Sequence, residues 1–162
     1  MISHREIMRR LAHAVAADLT VLEYCVKHFD RGLDVHVGAY PDGIPGTEDS
    51  PFLWITPEEQ NEDVNTDTVF TVRLVVAGAV LGEDGERVIQ NVEIERGANA
   101  NGVTVNGGNE IVEKLRDIIL GVARNAKAGA IVSKIRRDEN DIAHFPLEWA
   151  VAHIDYFEPE AL

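Results

Sequence analysis

The stretch VFTVRLVVAGAVL, Val69 to Leu81, is the densest run of β-branched and aromatic residues in the chain, and the rest is read from it. Branching at Cβ crowds a helical turn but packs well on the pleated surface of a strand. Gly82-Glu83-Asp84-Gly85 follows, and Asp-Gly tolerates the positive φ values of a two-residue hairpin turn. Arg87 to Glu95 then reads as the returning strand. The pattern predicts a long hairpin over Val69 to Glu95, turning at Glu83-Asp84-Gly85, with a sheet built around it.

Upstream, Phe52 to Thr56 reads as a short strand stopped by Pro57, and Asn61 to Asp67 as a polar turn. Pro41 to Pro51 carries three prolines with Gly43 and Gly46, so a loop longer than a tight hairpin is expected there. Before it, Leu33, Val35, Val37 and Ala39 alternate with Asp34, His36, Gly38 and Tyr40, the period of a strand with one buried face. From Ser3 to Phe29 the residues Met8, Leu11, Val15, Leu19, Leu22, Val26 and Phe29 recur at steps of three and four. That spacing predicts one amphipathic helix with this stripe in the core. Ser3 is the expected N-cap with Glu6 three residues on, Gly32 the expected stop, and Cys25 a core residue.

Downstream, Gly97 to Asn109 is dominated by Gly and Asn around Val103-Thr104-Val105. Asn109 can cap a second helix through Ile111, Val112, Leu115, Ile118, Ile119, Val122 and Ala126, with acids at its start and bases at its end as the helix dipole favours. Gly129 closes it. Ala130 to Arg137 reads as a strand, Asp138 to Asp141 as a turn, and Leu147 to Phe157 as a last strand with apolar residues on both faces, expected to be central and covered on both sides or else to keep one face for a partner. The order predicts an α+β fold in one domain over 1–162, a mixed and mainly antiparallel sheet with an N-terminal helix and a second helix packed against it.

Composition excludes more than it selects. The 162 residues are 45% hydrophobic and 27% charged, as in globular proteins rather than disordered or membrane chains. A net charge of −13 argues against gripping nucleic-acid phosphates. One cysteine cannot form an internal disulfide, and neither a signal-peptide core nor a bilayer-length apolar run is visible, so a cytoplasmic chain is expected.

Motifs for catalysis are lacking. Gly97 and Gly102 have the gap of a P-loop, but Val103 and Thr104 follow without the phosphate-binding lysine. The six histidines form no HExxH, none of the three serines lies in GxSxG, and Glu58, Glu59, Glu62 and Asp63 lack the EF-hand alternation. His36, His144 and His153 can meet only through the fold. The expectation is a non-enzyme without cofactor or metal.

Charge is unevenly placed. No Lys or Arg occurs between Arg31 and Arg73, a stretch holding nine acids, while bases gather at Arg5, Arg9 and Arg10 and again at Arg116, Arg124, Lys127, Lys134, Arg136 and Arg137. Such separation suits either a simple solvated surface or a head-to-tail contact between copies, which closes into a ring where the rotation allows. The candidate subunit interface pairs Glu58, Glu59, Glu62 and Asp63 with Arg124, Lys127, Lys134, Arg136 and Arg137.

Taken together, the opening helix Ser3 to Phe29, the Pro/Gly loop before Pro51-Phe52-Leu53-Trp54-Ile55, the hairpin around Gly82 to Gly85, the helix Asn109 to Lys127 and the closing Phe145-Pro146-Leu147-Glu148-Trp149 strand resemble phage tail terminators and related minor tail proteins. The resemblance spans nearly the whole chain and rests on element order. It implies a structural homo-oligomer, usually a hexameric ring, at the head-proximal end of a tail tube. Its partners would be tail and connector proteins, and it would be cytoplasmic during assembly and part of the virion tail afterwards. An acidic channel surface would repel passing DNA. The rival expectation is a small cytoplasmic interaction or regulatory α+β module.

Overall fold

The computed structural model describes residues 2–38, 47–62, 67–79, 92–95, 98–99, 103–106, 110–138 and 148–159. Helices α1 (His4–Ala16) and α2 (Leu19–Phe29) lead into strands β1 (Asp34–Val37), β2 (Phe52–Glu62) and β3 (Asp67–Gly78). After them come β4 (Val92–Glu95), β5 (Val103–Asn106), helix α3 (Glu110–Asn125), β6 (Ile131–Arg137) and β7 (Glu148–Pro159). Five strands form one sheet in the order β1-β2-β3-β7-β6, parallel only between β1 and β2, and β4 pairs with β5 in a second sheet. The fold is α+β with a mainly antiparallel sheet, as the pattern predicted.

One face of the large sheet packs on the helices. Leu53 and Ile55 of β2, Phe70, Val72, Leu74 and Val76 of β3, and Ala150, Ala152, Ile154 and Tyr156 of β7 are buried there. Ile7, Met8, Leu11 and Val15 of α1 close the core from above, with Val112, Leu115, Ile119, Leu120 and Ala123 of α3. Each Val, Leu, Ile, Phe or Met side chain among these contributes about 1.5–3 kcal/mol when removed from water.

The predicted hairpin is not formed. Both edges of β3 are taken, by β2 from Thr68 to Ala77 and by β7 from Asp67 to Gly78, so no edge of β3 is left for a returning strand. Val92–Glu95 pairs instead with Val103–Asn106, the short Val-Thr-Val run of the Gly/Asn-rich segment. Strand β3 does lie in a hairpin, but its local partner is the preceding strand, connected through residues 63–66. The Glu83-Asp84-Gly85 turn lies outside the described residues, as do residues 39–46 of the Pro/Gly loop and the Asn109 cap.

Pro57 does not end β2. The four residues of β1 pair only as far as Ile55, so Pro57 lies where no ladder bond to β1 is lost, and a register shift between Pro57 and Glu59 absorbs it. The single N-terminal helix is also corrected. Asp18 breaks it into two, its carboxylate accepting the Val21 N–H at 3.0 Å as an N-cap. Ser3 caps α1 as expected, accepting from the Glu6 N–H at 3.1 Å, whereas α2 ends at Asp30 in the left-handed conformation (φ 61°) rather than at Gly32. Strand β7 is central as predicted, flanked by β3 and β6.

Candidate functional site

The break at Asp18 rotates α2 about its axis, and the consequence falls on its apolar stripe. Val21 and Cys25 point into the core, while Leu19, Leu22 and Val26 are 69%, 44% and 49% exposed. Three residues expected inside thus form a ridge on the surface. Periodicity hid this because Val21 and Cys25 share one face of α2 and Leu19, Leu22 and Val26 another, so the helix is apolar over most of its girth. Its inner side is anchored by the Tyr24 hydroxyl, which donates to the Ile111 carbonyl at the start of α3 at 2.7 Å.

The sheet face turned away from the helices carries a polar row across four strands. Thr56, Arg73, His153 and Arg136 are register neighbours on β2, β3, β7 and β6. Glu58, the residue skipped by the β2 register shift, accepts from His153 Nδ1 at 2.6 Å. One Asp155 carboxylate oxygen accepts from the Thr71 hydroxyl at 2.9 Å and from Arg136 at 3.1 Å, and Ser133 donates to the Asp155 carbonyl at 3.0 Å. Beyond this row, Phe52 and Ala77 are buried with Trp54, Ala79 and Trp149 packed against them. Within this row Thr71 and Arg136 satisfy one Asp155 oxygen, and His153 pairs with Glu58.

The predicted interface residues therefore separate. Glu58 is exposed but bound to His153, and Arg136 is engaged with Asp155 on that face. Arg137 points to the helix layer and donates to Asp117 of α3 at 2.9 Å. Burial pushes the Asp117 carboxyl up, but its hydrogen bond from Arg137 and the charges of Arg116 and Arg137 outweigh this and hold it below the usual carboxylate range. Arg124 and Lys134 border one groove beside Val132, Ser133 and Ile135, and Lys127 is exposed just beyond α3. Glu59 and Glu62 lie in β2, and Asp63 is outside the described residues.

Two further constellations were not legible beforehand. Asp34 and His36, two apart on β1, meet Asp49 of the 3-10 turn Thr47–Asp49 with one ligand-type atom of each within 4.8 Å of the others. Arg31 supplies positive charge at that point, donating to Asp34 at 2.8 Å and to the Glu48 carbonyl at 2.9 Å, which ties the turn to β1. On the opposite side of β1, Val35 and Val37 floor a groove walled by Arg5, Arg9, Ala12, His13 and Ala16 of α1. The i, i+4, i+8 spacing of Arg5, Arg9 and His13 signals one helix face, but nothing in the local sequence shows that this face borders a strand.

No family model matches the chain, and no curated protein sequence is significantly similar to it. Among the described residues, no helix is long and apolar enough to cross a membrane.

Proposed function

We propose that this chain is a self-assembling structural subunit that forms a ring at the end of a phage or prophage tail tube, and that it acts without catalysis. The carrying observation is the exposed ridge Leu19, Leu22 and Val26. Apolar side chains aligned along a capped, anchored helix cost free energy in water, and burial against another copy recovers it. The helices before the sheet and α3 before the closing strands, the part of that element order the fold keeps, support the placement in a tail. The separated charges support a contact between unlike faces, which propagates round a ring. In that setting the exposed basic residues Arg124, Lys127 and Lys134 steer approach while apolar contacts supply most of the affinity.

Light scattering coupled to size exclusion tests this directly. The parent is expected to run at several times the 17.9 kDa of one chain, with ring-shaped particles in negative stain. Leu22→Glu/Val26→Glu places charges on the ridge and is expected to yield a folded monomer with unchanged helical circular dichroism. A parent that stays monomeric at high concentration would turn the reading toward a small interaction or regulatory module.

A further inference from the structure

The groove between α1 and the outer edge of β1 has an apolar floor, a basic wall and an open strand at its margin. Val37 on the floor is 41% exposed, one of five large hydrophobic residues so exposed among the described residues. Arg5, Arg9 and His13 are exposed along the wall, and Arg9 stands 4.0 Å from Glu6, at the outer limit of an ion pair. Strand β1 ends the sheet, so among the described residues its outer edge presents backbone donors and acceptors with no strand beside it.

The same side of the sheet holds a matching feature. Because β1 pairs only with Phe52 to Ile55, the stretch of β2 from Thr56 to Glu62 has no strand on that side among the described residues. That stretch contains Glu58, Glu59 and Glu62 and belongs to the long interval without Lys or Arg. An open edge with acidic sequence and an open edge with basic walls thus occur in one chain, displaced by the length of β1.

From this we infer that the α1/β1 groove is the seat for the acidic β2 edge, Thr56 to Glu62, of a second copy of this chain, added as a strand beside β1. Main-chain hydrogen bonds would join the two edges, and the arginines would select an acidic strand over others. The occupant is a second copy because charge complementarity and an open strand of the right character are both supplied by the chain itself. The inference rests on the self-assembly reading and assigns it a surface distinct from the α2 ridge.

A charge-swap experiment tests it. Arg5→Glu/Arg9→Glu and Glu59→Lys/Glu62→Lys are each expected to weaken self-association at low salt by about tenfold or more in sedimentation velocity. An equimolar mixture should regain the parental mass distribution, since each variant carries the charge the other lacks. Arg5→Gln/Arg9→Gln, which removes charge without adding repulsion, should fall between parent and reversal. If the parent assembles and the reversed variants assemble equally well, or if the mixture gains nothing, the groove is wrong while the ring reading stands. A parent that is monomeric throughout removes both, and a monomer that binds a fluorescent poly-glutamate peptide through Arg5 and Arg9 would assign the groove to a different acidic partner.

Discussion

His4 sits at the start of α1 with its ring 5.3 Å from that of Phe70 and its Nε2 donating to the Thr71 carbonyl at 3.0 Å. Burial lowers its pKa, and the bond to Thr71 offsets only part of that. The unfolded chain therefore binds more protons at this site than the folded one as pH falls below the ordinary histidine value of 6.5. The stability linked to neutral His4 is present above that value and is lost as pH falls through the lowered folded pKa. His28 works in the same direction, through burial and the charges of Lys27 and Lys114. The urea midpoint should drop between about pH 7.5 and about pH 5, and His4→Gln should flatten part of that drop. Identical slopes for parent and variant would show that His4 has no share in it. Cys25 was correctly read as core, and burial pushes its thiol up to about 12, far from the range of a nucleophile.

At the scale of elements, Asp18 matters more than the apolar stripe that runs through it. Periodicity carried a single helix to Phe29, but a carboxylate that can accept a backbone N–H favours a cap over a helix interior. Asp18→Ala is expected to cost about 1 kcal/mol in chemical denaturation, while Asp18→Asn should cost much less. Equal losses in both would assign the effect to charge rather than capping. The same break decides the candidate surface, because it sets which side of α2 meets α3. Gly78 shows a comparable dependence on distant packing: a Cβ there would lie 2.5 Å from the Phe29 ring, so the end of α2 approaches β3 only over a glycine. The second helix was legible in extent, yet its buried set includes Arg116, Leu120 and Ala123 while Ile111, Ile118 and Val122 are only half-buried. A stripe read from spacing alone was rotated by part of a turn.

For the whole molecule, a net charge of −13 makes copies repel on average, so the proposed self-assembly depends on where the bases stand. Exposed ion pairs contribute only about 0–1 kcal/mol each, and their chief effect is on approach and orientation. Added salt should thus slow assembly of this protein more than it hastens the dissociation of a formed ring, measured by stopped-flow light scattering after mixing and after dilution. Equal effects on both rates would mean that screened attraction does not steer the encounter. What the amino-acid sequence determined by itself was the kind of each element. The strand character of Val69 to Gly78, the helical runs on either side, the α+β class and the poverty in catalytic motifs all follow from local periodicity, turn chemistry and charge. The partner of each strand was decided only in three dimensions. A strand has two edges, and β3 spends one on its local hairpin partner β2 and the other on β7, some 80 residues later. Pairing depends on which edges remain open once every other element has packed, and that competition leaves no trace in the neighbouring residues. For the same reason only the tertiary structure turned Leu19, Leu22 and Val26 outward and set Arg5 and Arg9 beside β1, the edge strand of the sheet among the described residues.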